Sequence, residues 1–211
     1  MEQNYIKLVI VGESGVGKTQ ILNSYCFGLS PQASTGDFTI GCDYVLKRVL
    51  FNGKFLKLQI WDVSGAERES PLMKIYLKGA LGILFVFDGT NEMSRQQLVK
   101  WQNIVYQYVD EYNGRHIPFL IVQNKMDLVH NYDEQNSQQF LQQFCQTFGF
   151  FDGVQCSAYD NQGLKNVFET IVDEIIRRDL VDLQQKKNES KISKLQIEDK
   201  GLKLKQKSKC S

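Results

Sequence analysis

An octapeptide at residues 12–19, GESGVGKT, carries the clearest chemistry in this chain of 211 residues. It directly follows the apolar run 5–11, so a glycine-rich loop joins a predicted strand to a predicted helix. This spacing is typical of a loop that holds phosphate groups with backbone N–H groups at a helix N-terminus. Lys18 would neutralise β- and γ-phosphate oxygens, and the Thr19 hydroxyl would bind Mg²⁺. The predicted nucleotide ligands here are Gly12, Ser14, Gly15, Val16, Gly17, Lys18 and Thr19.

A second motif, DVSG at residues 62–65, ends another predicted strand. Asp62 can hold the Mg²⁺ shell through water, and the Gly65 N–H can meet a γ-phosphate and disengage when that phosphate leaves. Alone, this motif also describes an ordinary turn. Downstream of a phosphate loop it indicates a magnesium–nucleotide site.

A third motif, NKMD at residues 124–127, lies at the C-terminal edge of an apolar run, the edge at which open α/β sheets bind ligands. The Asp127 carboxylate can accept two N–H bonds from guanine, whereas adenine would leave it buried and unpaired. We expect Asn124 to brace the loop and the stem of Lys125 to lie along the base. Ser157 and Ala158 follow a further strand, and the Ala158 N–H could meet the guanine oxygen.

The elements that must position these motifs alternate between strand and helix. Strand patterns occur at residues 5–11, 44–51, 55–61, 82–88 and 119–124, with a hairpin signal at Asn52-Gly53. Helical patterns occur at 18–27, 68–78, 93–108 and 134–148, and an apolar stripe from Leu164 to Ile176 indicates a further helix. The prediction is an α/β G domain of the phosphate-loop NTPase class, with a six-stranded, mostly parallel sheet flanked by helices on both faces.

Composition narrows the class of protein further. A net charge of +1 gives no basic field for a nucleic-acid partner, so none is expected. Five cysteines without a CxxC pair favour reduced thiols. We expect no secretory leader and no membrane-spanning segment, since no apolar run is long enough. Residues 1–180 are predicted to form one domain, and residues 181–211 are predicted to form a flexible tail. We expect the protein to be a monomer.

Taken together, the motifs resemble the Ras superfamily of small GTPases, and within it the Rab family. The resemblance covers roughly residues 5–178 and includes FTIGCDY at 38–44, KLQIWD at 57–62 and YLKGA at 76–80. It implies GTP or GDP with Mg²⁺ as ligands and a switch that partner proteins read. Thr39 matches the switch threonine, which binds Mg²⁺ and senses the γ-phosphate. The residues that we assign to the reaction are Lys18, Thr39 and Gly65. An aromatic triad that contacts effectors matches Tyr44, Trp61 and Tyr76.

The resemblance also implies partners and a location. These are exchange factors, GTPase-activating proteins, effectors and a GDP-dissociation inhibitor, with the protein on the cytosolic face of an intracellular membrane and cycling through the cytosol. Rab-like chains are prenylated at C-terminal cysteines, and Cys210 is the matching site, preceded by four lysines between 203 and 209. Lipid plus basic patch would bind an anionic membrane better than one lipid chain alone. A solvated charged tail is the alternative.

One departure from the family concerns the reaction. Rab proteins usually place a glutamine after the glycine of the second motif, where it positions the attacking water, but this chain has Ala66. We therefore expect slow intrinsic GTP hydrolysis, unless an activating protein supplies a glutamine in trans. The first switch is also about two residues longer than usual, and Phe27 is the nearest aromatic that could stack on the base.

Three functions stay open at this point. The first is a GTP-driven switch in vesicle traffic. The second is a nucleotide-locked or pseudo-GTPase that acts as an effector-binding module, which Ala66 favours and the intact nucleotide motifs oppose. The third is an ATPase or nucleotide kinase, which residues 124–127 oppose because they select guanine.

Overall fold

A six-stranded sheet forms the centre of the fold in the computed structural model, which describes residues 5–28, 40–109, 115–129 and 136–181. The strand order is β2-β3-β1-β4-β5-β6, and only β2 runs antiparallel to its neighbour. The strands are β1 Ile6–Val11, β2 Cys42–Phe51, β3 Lys54–Val63, β4 Gly82–Asp88, β5 Phe119–Asn124 and β6 Asp152–Gln155. The predicted fold class is confirmed.

The central strands are apolar because they are covered on both faces. Every residue of β1 and of β5 is buried. The helices are α1 Lys18–Phe27, α2 Met73–Leu77, α3 Glu92–Tyr108, α4 Gln138–Phe148 and α5 Leu164–Arg177. The predicted apolar stripe of α5 is buried except for Ile176, which is half-buried, and a Cβ on Gly82 of β4 would lie 2.9 Å from the side chain of Ile171.

The hairpin between β2 and β3 turns at the two predicted residues. Asn52 and Gly53 both have positive φ, 47° and 73°. This combination gives the tight turn that suits twisted antiparallel strands. The two strands pair from Phe51↔Lys54 to Cys42↔Val63, so each is longer than its sequence pattern predicted.

The predicted helix at residues 68–78 is wrong as one element. The structure has a 3-10 helix at Gly65–Glu69, a break, and then the five-residue α2. The break follows from Pro71, because a proline disfavours the helical conformation of the residue before it. Ser70 is accordingly extended, with φ −73° and ψ 138°. We call residues 65–77 the switch segment.

Helices α3 and α4 begin at polar caps. Asn91 accepts a hydrogen bond from the Ser94 N–H at the start of α3, and Ser137 caps α4 in the same way through Phe140. Helix α4 therefore begins later than the predicted 134–148 pattern, whose first two residues lie outside the described residues. Within the four described ranges, no helix is both long and apolar enough to cross a membrane.

Candidate nucleotide-binding site

The predicted site motifs meet at one edge of the sheet. Strands β1, β3 and β5 run parallel, so their carboxyl ends lie on the same side. The phosphate loop follows β1, the DVSG motif closes β3, and the NKMD motif begins at the last residue of β5. This edge is where open α/β sheets place their ligands.

The phosphate loop needs glycine at two positions for steric reasons. Gly12 has φ 148°, and a Cβ there would lie 2.2 Å from the Val86 carbonyl oxygen. Gly17 has φ 94°, and its Cβ would lie 2.4 Å from Asn124 Nδ2. Gly15 also has a positive φ, 78°, but its Cβ would meet open space. The backbone is therefore packed closely against β4 and β5 at the two ends of the loop.

The phosphate-loop lysine is buried in this loop. Lys18 Nζ donates to the carbonyl oxygens of Gly12, at 2.9 Å, and Glu13, at 2.8 Å. Burial lowers the pKa of Lys18 to about 8, partly offset by the charges of Asp62 and Glu13. An ammonium with little solvent around it gains strongly from an added anion, which suits a phosphate-binding role.

Asn124 ties the phosphate loop to the base-binding motifs. Its Nδ2 donates to the Val16 carbonyl at 2.9 Å, and its Oδ1 accepts from the Ala158 N–H at 3.0 Å. The Cys156 thiol also contacts Oδ1, at 3.6 Å. The Ala158 N–H, the predicted donor to guanine, thus donates to Asn124 in this structure. A guanine oxygen would have to share this N–H with Asn124 or displace Asn124 from it.

Asp127 lies beside Ser157, whose hydroxyl donates to Asp127 Oδ1 at 2.6 Å. The same hydroxyl accepts from the Asp160 N–H at 3.0 Å, which fixes its orientation. One carboxylate oxygen is thus held by the protein. This arrangement orients the carboxylate for N–H donors of a ligand.

The sequence reasoning missed a partner for Lys125. Its ammonium pairs with Asp88 Oδ2 at 2.7 Å. Burial opposes ionisation of Asp88, but hydrogen bonds from Lys125 and Thr90 hold its pKa below the ordinary value. The contact follows from the strand pairing in the folded chain, since β4 and β5 end side by side at Asp88↔Asn124.

The predicted magnesium ligands that the structure describes are in contact. Thr19 Oγ1 donates to Asp62 Oδ2 at 2.5 Å, and Asp62 is buried. Within the described ranges, no group of three or more His, Cys, Asp or Glu side chains could hold a metal. Two neighbouring oxygens without a protein cage fit Mg²⁺, which commonly uses one or two protein oxygens with substrate phosphates and water. Thr39 lies outside the described residues.

The second motif packs directly on the phosphate loop. A Cβ on Gly65 would lie 2.4 Å from the Ser14 backbone nitrogen and 2.7 Å from its Oγ. The Ser64 hydroxyl accepts from the Ala66 N–H at 3.3 Å and caps the 3-10 helix. Ala66 is exposed and carries no polar group that could orient water.

Two members of the predicted aromatic triad are paired. Tyr44 and Trp61 are opposite each other on β2 and β3, and their rings stack with centroids 5.0 Å apart. Lys7 lies 4.0 Å from the Trp61 ring centroid and donates to the Lys78 carbonyl at 2.9 Å, a link that the sequence did not indicate. Tyr76 is half-buried on α2. Phe27 is more than half exposed, and Cys210 lies outside the described residues.

Comparisons with known proteins agree with this geometry. The family model of the Ras family matches residues 7–177. The chain is similar to human (Homo sapiens) Ras-related protein Rab-32, at 32% identity over 210 residues, which is 99% of this chain and 90% of that protein. It is 30% identical to mouse (Mus musculus) Ras-related protein Rab-12, over 92% of this chain and 76% of the relative.

A third relative is similar over most of its length. Ras-related protein Rab-7a of Paramecium octaurelia is 31% identical over 170 residues, or 81% of each chain. The family match covers most of the chain, including all three nucleotide motifs. The chain therefore belongs to the Ras superfamily of small GTPases, as a Rab-like member.

Proposed function

We propose that this protein is a GTP/GDP switch in membrane trafficking, and that it binds guanine nucleotide with Mg²⁺ at the edge formed by β1, β3 and β5. The observation that carries the proposal is Asn124, whose side chain joins the phosphate loop to the Ala158 backbone. Because one amide holds both parts, phosphate binding and base reading are built as a single site.

Each residue of the site has a distinct task. Lys18 and the loop N–H groups bind β- and γ-phosphate oxygens, and Thr19 with Asp62 would hold the metal. Bound Mg²⁺ supplies neutralisation of charge on the phosphates. Asp127 accepts N–H bonds from guanine, with Ser157 holding its other oxygen. Gly65 packs against Ser14 of the phosphate loop, and its N–H would meet a γ-phosphate and disengage when that phosphate leaves.

Base selectivity tests the proposal. GTP and ATP should be titrated against a fluorescent GDP bound to the Mg²⁺-loaded protein, in the wild type, in Asp127→Asn and in Asp160→Asn. Asp160 is an exposed acid in the same loop and serves as the matched control. GTP should displace the probe at least about 1000-fold better than ATP in the wild type and the control, and this preference should collapse in Asp127→Asn. Equal competition by ATP in the wild type would refute the proposal.

Slow intrinsic hydrolysis is the second part of the proposal. It rests on Ala66, a methyl side chain where the family usually carries a water-orienting glutamine. Lys18, Gly65 and the metal site still stabilise charge, so the reaction is slowed and not abolished. Single-turnover hydrolysis measures this, and an ordinary unassisted rate would contradict it.

The exposed Ala66 also favours one alternative, a nucleotide-locked protein that acts as an effector-binding module. The two functions differ in how GTP leaves. GTP that persists on the purified protein and that no activating protein can clear would favour the locked module. Clearance by an activating protein would favour the switch.

The remaining proposals concern partners and location. Tyr44, Trp61 and Tyr76 are proposed effector contacts, and exchange factors, activating proteins and a dissociation inhibitor are proposed partners. We propose that Cys210 carries a lipid that, with the neighbouring lysines, places the protein on the cytosolic face of an internal membrane. Intact mass of the protein from its native cell tests the lipid, and an unmodified C-terminal peptide would remove it. We also propose that residues 1–180 form one domain and that residues 181–211 form a flexible tail.

A further inference from the structure

Glu13 is the one acidic residue of the phosphate loop, and no step of the proposed function uses its side chain. Its Oε1 accepts two hydrogen bonds, from Arg68 NH1 at 2.7 Å and from Trp101 Nε1 at 3.0 Å. Arg68 belongs to the 3-10 helix of the switch segment, and Trp101 lies on α3. One carboxylate thus joins three parts of the molecule that are distant in sequence.

The backbone of the same residue reaches the phosphate site. The Glu13 carbonyl accepts from Lys18 Nζ at 2.8 Å. One residue further on, the Ser14 nitrogen is the atom that Gly65 approaches. The switch segment therefore lies close to the phosphate loop at Gly65 and is joined to it by the ion pair between Arg68 and Glu13.

We propose that Glu13 is a latch that holds the switch segment on the phosphate loop and so slows the release of bound nucleotide. This inference rests on the proposed function for its nucleotide part alone. Glu13 acts through Arg68 and Lys18 and is a positioning residue. Arg68 strengthens the latch through a second bond, to Gln97 Oε1 of α3 at 3.3 Å.

The two bonds to Glu13 have different roles. Trp101 is fully buried, so its N–H needs an acceptor for stability. Arg68 is partly exposed, with 25% of its side-chain surface accessible, and water could satisfy it. The Trp101 bond therefore supports the fold, and the Arg68 bond is free to open and close.

The substitution Glu13→Gln separates these roles. A glutamine oxygen can still accept from Trp101, whereas the charge that attracts Arg68 is lost. Arg68→Met removes the same ion pair from the switch side. Glu169→Gln is the matched control, because it removes the carboxylate of an exposed pair with Lys165 on α5, outside the nucleotide motifs.

Two quantities should be measured in the full-length protein: amide hydrogen exchange of residues 66–70 and the release rate of fluorescent GDP. In Glu13→Gln and in Arg68→Met both rates should rise about three- to tenfold, and the double variant should be no faster than either single variant. The control should match the wild type. Unchanged GDP release in Glu13→Gln would overturn the latch.

The salt dependence of GDP release distinguishes an ionic latch from a purely structural role of Glu13. The ion pair borders an open cavity of about 630 Å³, so solvent ions can screen it. GDP release from the wild type should accelerate toward the Glu13→Gln rate as salt is raised to about 0.5 M, and the variant should barely respond. Equal salt dependence in the two proteins would contradict the proposal.

Failure of the proposed function can be distinguished from failure of the latch. A wild-type protein that binds no GDP refutes the nucleotide site, and amide exchange alone then decides whether the latch exists. If Glu13→Gln does not fold, Arg68→Met gives the same comparison at a partly exposed position. Exchange equal to that of the wild type would overturn the latch in either case.

Discussion

The two halves of the nucleotide site are built differently. The binding half, which comprises the phosphate loop, the NKMD motif and residues 156–158, is held by buried contacts, with Asn124 between its parts and glycines where no Cβ fits. The switch half, residues 65–77, is a short 3-10 helix, a break at Pro71 and one turn and a half of helix, tied by a partly exposed ion pair. The binding half is thus held by buried contacts, whereas the ion pair that joins the switch half to the phosphate loop is partly exposed to solvent.

This difference has a physical consequence. Buried side-chain-to-backbone bonds are costly to break, because the groups left behind lose both partner and solvent. Partly exposed ion pairs contribute little and respond to salt. Substitutions in the binding half should therefore change affinity strongly, and those in the switch half should change rates without loss of the nucleotide.

The largest effect should come from Gly17→Ala. The added Cβ would lie 2.4 Å from Asn124 Nδ2 at a positive φ, so it would strain the backbone and displace the brace together. We expect about 100-fold weaker GDP binding by calorimetry, from about 1–2 kcal/mol for each of the two effects. Gly15→Ala is the control, since it has a similar φ and open space, and it should cost much less. Equal losses in the two variants would show that packing against Asn124 is irrelevant.

The next largest effect concerns the switch half, at Ala66. Ala66→Gln should raise single-turnover GTP hydrolysis about tenfold or more, because the amide can position the attacking water. GDP affinity should stay the same, since residue 66 is exposed and lies outside the binding half. Ala66→Met, of similar size but without an amide, should not raise the rate. An Ala66→Met rate equal to that of Ala66→Gln would mean that water positioning is not the cause.

The pH dependence of affinity probes the buried lysine. The pKa of Lys18 is about 8 in the folded protein, lowered by burial, so this ammonium loses its proton as pH rises through 8. Phosphate binding requires the charged form, so GDP affinity should be constant below pH 7 and fall by up to about tenfold per pH unit above 8. Lys7 also has a pKa lowered to about 8, but its ammonium lies at the Trp61 ring, so Lys7→Arg should leave the profile unchanged. A flat profile to pH 9.5 would contradict the role of Lys18.

The smallest effect should come from Ser157→Ala. It removes the hydroxyl that holds Asp127 Oδ1, which leaves the carboxylate in place but less well oriented. We expect a loss of about 1 kcal/mol in GDP binding, or about fivefold in affinity. Thr147→Ala, an exposed hydroxyl on α4, is the control and should have no effect. No change in Ser157→Ala would mean that Asp127 needs no support.

The sequence reasoning succeeded where the physics is local. Glycine spacing predicted the phosphate loop, and Asn52-Gly53 predicted the hairpin. The break before α2 was missed although Pro71 is its local cause. The bonds of Lys125 to Asp88 and of Glu13 to Arg68 and Trp101 could not be found in this way, because they join residues that only the folded chain brings together.

The most direct test is the nucleotide content of the purified protein. The full chain should be prepared in the presence of Mg²⁺ and then denatured. The small molecules that it releases should be separated by chromatography and identified by mass spectrometry. About one guanine nucleotide, GDP or GTP, should be recovered for each chain. A protein that carries no nucleotide and takes up none when GDP and Mg²⁺ are supplied, or one that carries adenine nucleotide instead, would contradict the proposed function.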